Sequence, residues 1–233
     1  PRCCSSAASD VYKRQYVIGG PENIQERHLL PSETKSEALV RFVDIFSSLG
    51  LDVFQLRFKN SSDDDFLKLA NEIVQVLKNT NCKLCINDNV QIVNKLSNDV
   101  DILHIGQNDM KPELAKNQIS SKVKIGLSIT DLDQIQNIPN FINYIGVGPI
   151  FPTESKTDAS KAMGELILEE IIKKVDIPVV AIGGIKRNQP EKFIKYNKKM
   201  GVKSFNASRE NKVTIVIKLR TCLLYTTPSP RDQ

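Results

Sequence analysis

The residues of this chain that could do chemistry recur just after short apolar runs. Arg57 and Lys59 follow VFQL, and Asn87 and Asp88 follow LCI. Gln107, Asn108 and Asp109 follow ILHIG, and Ser128 follows KIGL. Thr153, Ser155 and Lys156 follow YIGVGPIF, and Gly183 and Gly184 follow VVAI. Asp88 and Asp109 bring hard carboxylate oxygens from two successive runs, a donor set that suits Mg2+ shared with a diphosphate. Arg57, Lys59 and Lys156 carry positive charge for phosphoryl oxygens. Gly183-Gly184 would let backbone N–H groups approach a phosphate. Each feature also has a plainer reading: the lysines as solvated charges, the aspartates as helix caps, the glycine pair as a tight turn. Recurrence after six runs, rather than any one loop, is the signal.

The runs themselves read as strands: Tyr16–Ile18, Val53–Leu56, Lys83–Ile86, Ile102–Ile105, Lys124–Leu127, Tyr144–Val147 and Val179–Ile182. Several lack polar alternation, as strands of a parallel sheet covered on both faces do. Helical periods fall between them. Glu37–Phe46 repeats apolar residues three and four apart, with Ser36 as the expected cap and Gly50 as the stop. Asp63–Leu77 carries a stripe of Phe66, Leu67, Ala70, Ile73, Val74 and Leu77. Leu166–Val175 and Gln189–Tyr196 complete the set, the latter with Pro190 in its first turn.

Strands alternating with helices predict an α/β fold. No G-x-G-x-x-G follows the first strand, which weakens the dinucleotide-binding, doubly wound alternative. An eighth strand is expected in Val202–Phe205, giving a (β/α)8 TIM barrel whose carboxyl rim gathers the polar loops. Its last unit reads as incomplete, because ENKVTIVIKLRT is too β-branched to be a good helix.

The 233 residues fit one such domain. Lys and Arg number 32 against 27 Asp and Glu, a net charge of +5 that is compatible with phosphorylated ligands. The basic residues are scattered and only 6% of the chain is aromatic, so no nucleic-acid footprint is predicted. No apolar run approaches the length of a membrane span. Cys82 and Cys85 form a C-x-x-C, but on a strand they would face opposite ways and could not converge on a metal or a short bridge. They read as reduced thiols of a cytoplasmic protein.

The two ends read as foreign. Asp10–Gln15 can be encoded by GAT GTG TAT AAG AGA CAG, and the reverse complement, read one base in, encodes Cys222–Thr226. An inverted repeat at both ends of a translated read is the mark of a ligated adapter, and Ser5–Gln15 resembles a transposase-type adapter. Residues 1–15 and 222–233 are therefore expected to be non-native tails around a domain of residues 16–221.

Six segments together carry a family resemblance: QLRFK (Gln55–Lys59), IND (Ile86–Asp88), HIGQND (His104–Asp109), GLS (Gly126–Ser128), GVGPIFPTESK (Gly146–Lys156) and AIGGI (Ala181–Ile185). In this order and spacing, over about residues 16–208, they resemble thiamine phosphate synthase. The resemblance implies a Mg2+-dependent barrel that joins hydroxymethylpyrimidine diphosphate to a thiazole phosphate and releases diphosphate. It implies that Gln55, Arg57, Lys59, Asn87, Ser128 and Lys156 hold the pyrimidine diphosphate, with Lys156 and Ser128 closest to the chemistry. Asp88 and Asp109 would bind the metal, and Thr153, Glu154, Ser155 and Gly184 the thiazole phosphate. Ser155 stands where the family usually has threonine and keeps the hydroxyl. Ser208 aligns with the serine of the family's last phosphate loop, but GVKSFNASRE departs from that pattern, and the chain from about residue 209 departs further. A related thiazole tautomerase would need neither the Arg57/Lys59 pair nor the two aspartates. A non-catalytic phosphate-binding barrel, or a broken fragment of one, is the reading of a different class.

Overall fold

The computed structural model describes residues 16–152, 161–185 and 213–218, the last by backbone alone. The described residues fall into two compact units, 16–126 with 217–218, and 127–216. Both are parallel α/β.

In the first unit, β1 (Tyr16–Gly19), β2 (Val53–Leu56), β3 (Lys83–Asn87) and β4 (Ile102–Ile105) pair in sequence order, all parallel. Ile18 stands opposite Gln55, Gln55 opposite Cys85, and Asn87 opposite His104. Phe54, Leu56, Leu84, Ile86, Leu103 and Ile105 are fully buried, so the alternate face of these strands is covered throughout. Gln55, Cys85, Ile102 and His104 on the other face are buried as well, which is why the sequence shows apolar runs instead of alternation. The helices α1 (Lys35–Ser48), α2 (Asp63–Leu77) and α3 (Val90–Leu96) make the crossovers. A short α4 (Pro112–Gln118) leads to β5 (Lys124–Ile129), and the division between the units falls within that strand.

The start of α1 corrects the expected cap. Thr34, not Ser36, is the N-cap: its hydroxyl accepts from Glu37 N at 3.2 Å, and the Glu37 carboxylate accepts from Thr34 N at 2.8 Å. A threonine three residues before a glutamate satisfies two orphan N–H groups reciprocally, which Ser36 cannot do from inside the first turn. Gly50 ends the helix as expected, with φ 94°. Leu51 N donates to Phe46 O at 3.0 Å and Gly50 N to Ser47 O at 3.1 Å, the paired bonds of a Schellman motif. On α2 the buried stripe contains Leu69 where Leu67 was expected, while Phe66, Ala70, Ile73, Val74 and Leu77 are buried as read.

Arg41 anchors the segment between β1 and α1. Its guanidinium donates to both Glu33 carboxylate oxygens at 2.7 and 2.8 Å and to His28 O at 2.9 Å, and it lies 4.5 Å from the centre of the Phe42 ring. The buried His28 packs edge-on against the same ring. Burial, then the charges of Arg27 and Arg41, pull the His28 pKa down and favour its neutral form.

In the second unit, β6 (Tyr144–Val147), β7 (Val179–Ala181) and β8 (Val213–Lys218) pair in order and in parallel. The α-helix α5 (Gly164–Lys174) joins β6 to β7, close to the expected Leu166–Val175. A 3-10 turn, Leu132–Asn137, capped by Asp131, spans the gap between β5 and β6. The strand beside β7 is therefore Val213–Lys218, from the very segment that was too β-branched for a helix. The Val202–Phe205 strand, the Gln189–Tyr196 helix and both tails lie outside the described residues.

Cys82 just precedes β3 and Cys85 lies within it; both are buried free thiols. Burial pushes the Cys82 thiol up to about 12, so it is inert as a nucleophile.

The Glu33–Arg41 pair makes a pH prediction. The Arg41 hydrogen bonds hold the Glu33 carboxyl at about 2, below its ordinary 4.5. A depressed acid stabilises the fold fully above the ordinary value and loses that contribution as pH falls toward 2. Glu33→Gln is expected to cost about 1 kcal/mol at pH 7, allowing for partial exposure, and nearly nothing at pH 2. Thermal melts at the two pH values check this; an equal cost at both would reject it.

Candidate functional site

The first unit brings together Gln55, Arg57, Lys59, Asn87, Asp88 and Asp109, all at or just beyond the carboxyl ends of β2, β3 and β4. Gln55 is 3% exposed. Such a buried amide needs partners at both ends. Its Oε1 accepts from the Tyr16 hydroxyl at 2.7 Å, and its Nε2 donates to Asn87 Oδ1. Asn87, the last residue of β3, donates from Nδ2 to Asp88 Oδ2. Asp88 leaves the strand with φ 63°, and its N–H donates to His104 O at 2.8 Å. The buried His104 thus serves the site through its carbonyl, as a strand residue.

Asp109 is placed by a tight turn after β4. Its Oδ2 accepts from Gly106 N at 2.8 Å, and a Cβ at Gly106 would lie 2.5 Å from that oxygen. A side chain there would push the Asp109 carboxylate out of that bond. Neither aspartate caps a helix: the N-caps of α3 and α4 are Asn89 and Lys111. The capping alternative for the pair falls away.

The Asp88 carboxyl is pushed up to about 7, first by burial, then by a hydrogen bond and charge repulsion from Asp109, against the pull of Lys59 and Arg57. A cation beside the two carboxyls would relieve that repulsion. The described residues form no cluster of three or more metal-ligating side chains. Two carboxylates alone suit Mg2+, which keeps most of its shell as water and substrate phosphate. The donor set fits that ion.

A cavity of about 390 Å³ opens beside the pair. Arg57, Lys59, Asn87 and Asp88 line its polar side, and Phe58, Phe66 and Met110 its apolar side. Arg57 N donates to Gly19 O at 2.9 Å, extending the ladder one residue past β2, while Arg57 Nη1 lies 3.7 Å from Glu22 Oε1. Lys59 is exposed. Ser62 and Asn89 cap the adjacent starts of α2 and α3, and Asn89 Nδ2 donates to Asp63 Oδ1 at 3.0 Å. The cavity has the volume, charge and partly apolar wall of a site for a small ring bearing phosphates.

In the second unit Ser128 is half-buried on β5. The segment after β6 is laced to the end of β7: Ile150 N donates to Ile182 O and Phe151 N to Gly183 O, both at 3.0 Å. Gly183 and Gly184 have φ 93° and 67°, and a Cβ at Gly184 would lie 2.5 Å from Phe151 O. The glycine pair is thus a required turn with close backbone approach. Thr153, Glu154, Ser155, Lys156 and Ser208 lie outside the described residues.

Sequence reading missed Tyr16 and Glu22. Tyr16 opens an apolar strand, and its polar tip was the only signal available. Glu22 follows the strand without a motif.

The carboxylate pair makes the next prediction. Asp88→Asn keeps an acceptor for Asn87 and removes the repulsion, so the melting temperature without ligand is expected to hold or rise. The further rise that Mg2+ with inorganic diphosphate gives the wild type should be lost, by about 2.7 kcal/mol for a ligand at a hundred times its dissociation constant. Thermal shift measurements with and without both ligands check this; an undiminished shift would remove Asp88 from the metal site.

Comparison with known proteins adds the family. Residues 28–204 match the family described as thiamine monophosphate synthase. A thiamine-phosphate synthase of Methanobrevibacter smithii is 39% identical over 58% of this chain and 64% of its own length. One from Staphylococcus carnosus is 34% identical over 77% of this chain and 82% of its own. Among solved structures, thiamine phosphate pyrophosphorylase from Pyrococcus furiosus superposes with a TM-score of 0.63 at 24% identity, covering 89% of this chain and 86% of that one. That last likeness speaks for the fold, while the sequence matches place the chain itself: it belongs to the thiamine monophosphate synthase family.

Proposed function

We propose that the chain condenses hydroxymethylpyrimidine diphosphate with a thiazole phosphate, giving thiamine phosphate and diphosphate. The observation that carries this reading is the meeting of Arg57 and Lys59 with Asp88 on one cavity, with Asp109 against Asp88. Cations and paired carboxylates at one place serve an anionic leaving group and a divalent ion together. The names of the relatives support the same reaction. A complete (β/α)8 barrel is the architecture proposed to unite these groups with Ser128 and the loop after β6. The native domain is proposed to be residues 16–221, without the adapter-like tails.

The chemistry requires little proton transfer. The bond between the pyrimidine methylene carbon and the diphosphate oxygen breaks, and the diphosphate leaves with the electron pair. The ring amino group stabilises the resulting cation, and the thiazole nitrogen forms the new C–N bond. The demands on the protein are neutralisation of the leaving group and alignment of two rings. Arg57 and Lys59 serve the first. Lys156 and Ser128 are assigned to the same diphosphate, and Gln55 and Asn87 to the pyrimidine. Bound Mg2+, held by Asp88 and Asp109, would add charge neutralisation at the leaving oxygens. Gly184, with Thr153, Glu154, Ser155 and Ser208, is assigned to the thiazole phosphate.

No helix among the described residues is long and apolar enough to cross a membrane. A reducing cytoplasm is the proposed setting, supported by two buried thiols without a disulfide.

A coupling assay with both substrates and Mg2+, on the full chain and on residues 16–221, tests the assignment. Thiamine phosphate is the expected product, and its absence with both proteins folded would reject the reading. Lys156→Ala should lower kcat/KM for the pyrimidine diphosphate by about 100-fold, as loss of one charge-stabilising donor does. The KM for the thiazole phosphate should change little; equal loss for both would reassign the lysine.

A further inference from the structure

One buried group beside the site has no part in the reaction just described. Tyr16 opens β1, is 5% exposed, and directs its hydroxyl to Gln55 Oε1 at 2.7 Å; the oxygen also lies 3.5 Å from Cys85 Sγ. A carboxamide is nearly symmetric in shape but opposite in chemistry at its two ends. With Oε1 occupied by the phenol, the end of Gln55 facing Asn87 is the donor Nε2. Asn87 must then meet it with Oδ1, which turns Nδ2 toward Asp88, and Nδ2 does donate to Asp88 Oδ2. The sense of each amide is tied to that of its neighbour, and the series runs between an acceptor-only carboxylate and a phenol that donates to its far end.

We infer that Tyr16 is a positioning residue that acts through Gln55 and Asn87 on Asp88. The acceptor-only carboxylate calls for an N–H from Asn87, and the phenol, by donating to Gln55 Oε1, holds both amides in the sense that supplies it. Reversed amides would set Asn87 Oδ1 against Asp88 and exchange donor for acceptor on the edges of Gln55 and Asn87 offered to a pyrimidine. In this series the influence of Tyr16 on Asp88 is relayed through the two amides. The inference rests on the assignment of Gln55, Asn87 and Asp88 to the pyrimidine diphosphate and its metal.

Tyr16→Phe removes the hydroxyl and keeps the ring. In the ligand-free full chain, the side-chain NH2 resonances of Asn87, assigned by their loss in Asn87→Ala, should shift on Tyr16→Phe. By titration calorimetry the variant should bind hydroxymethylpyrimidine diphosphate with Mg2+ about tenfold more weakly, the effect expected for an outer partner of a ligating group. The KM for the thiazole phosphate should change less than about twofold. In a Gln55→Met background, where the relay is already cut, Tyr16→Phe should add nothing to either readout. Unchanged Asn87 resonances and unchanged affinity would overturn the inference, and so would an effect of equal size in the Gln55→Met background. Should Tyr16→Phe fail to fold, Gln55→Met alone must shift the Asn87 resonances, and their constancy would overturn it. If the wild type binds no pyrimidine diphosphate, the site assignment fails, and the resonances of Asn87 still decide the relay.

Discussion

Strands covered on both faces leave a polar side chain two options: the open end of the strand, or partners within the sheet. In β1 to β4 almost every residue follows from that constraint. Phe54, Leu56, Leu84, Ile86 and Leu103 fill the covered face, and the charged groups wait until the strands end. The buried His104 of β4 is one exception, and Gln55 is another, an amide buried inside the ladder. It is tolerated because Tyr16 satisfies one end and Asn87 the other. The parallel register sets Gln55 between Ile18 and Cys85, one row below Asn87. The same register that closes the core therefore begins the site.

Beyond the strand ends the balance is electrostatic. Asp88 and Asp109 oppose each other, and burial makes the opposition worse for Asp88. Lys59 and Arg57 offset part of it, while Arg57 also faces Glu22. Such a mixture stabilises little by itself. On the proposed assignment, a cation beside the carboxylates and an anion beside the cations would make it favourable. Local strain accompanies it, since Asp88 sits at positive φ without being glycine. A Cβ at Gly106 would displace the Asp109 carboxylate from its bond to Gly106 N.

The second unit uses backbone where the first uses side chains. Gly183 and Gly184 take left-handed conformations, and each passes too close to the 149–151 backbone for a Cβ. The bonds from Ile150 and Phe151 to the end of β7 set the direction in which the chain leaves toward Thr153.

Much of this was readable from residue order. The strands Val53–Leu56, Ile102–Ile105 and Tyr144–Val147, and the helix Asp63–Leu77, run as their periods predict, because period and apolar content are local properties. The motifs carrying Gln55, Arg57, Asn87, Asp88 and Asp109 were equally local, and so was the family they belong to. Other features were not. Thr34 displaced Ser36 as cap, and Leu69 displaced Leu67 in the core, by rotations of less than a turn. Tyr16 and Gln55 are 39 positions apart, and no local pattern says that they touch. The sequence alone determined which elements form and which chemical groups stand at their ends. Only the tertiary structure decided which way two amides face and that Asp88 shares its surroundings with Asp109, because register and burial join residues that the chain keeps apart.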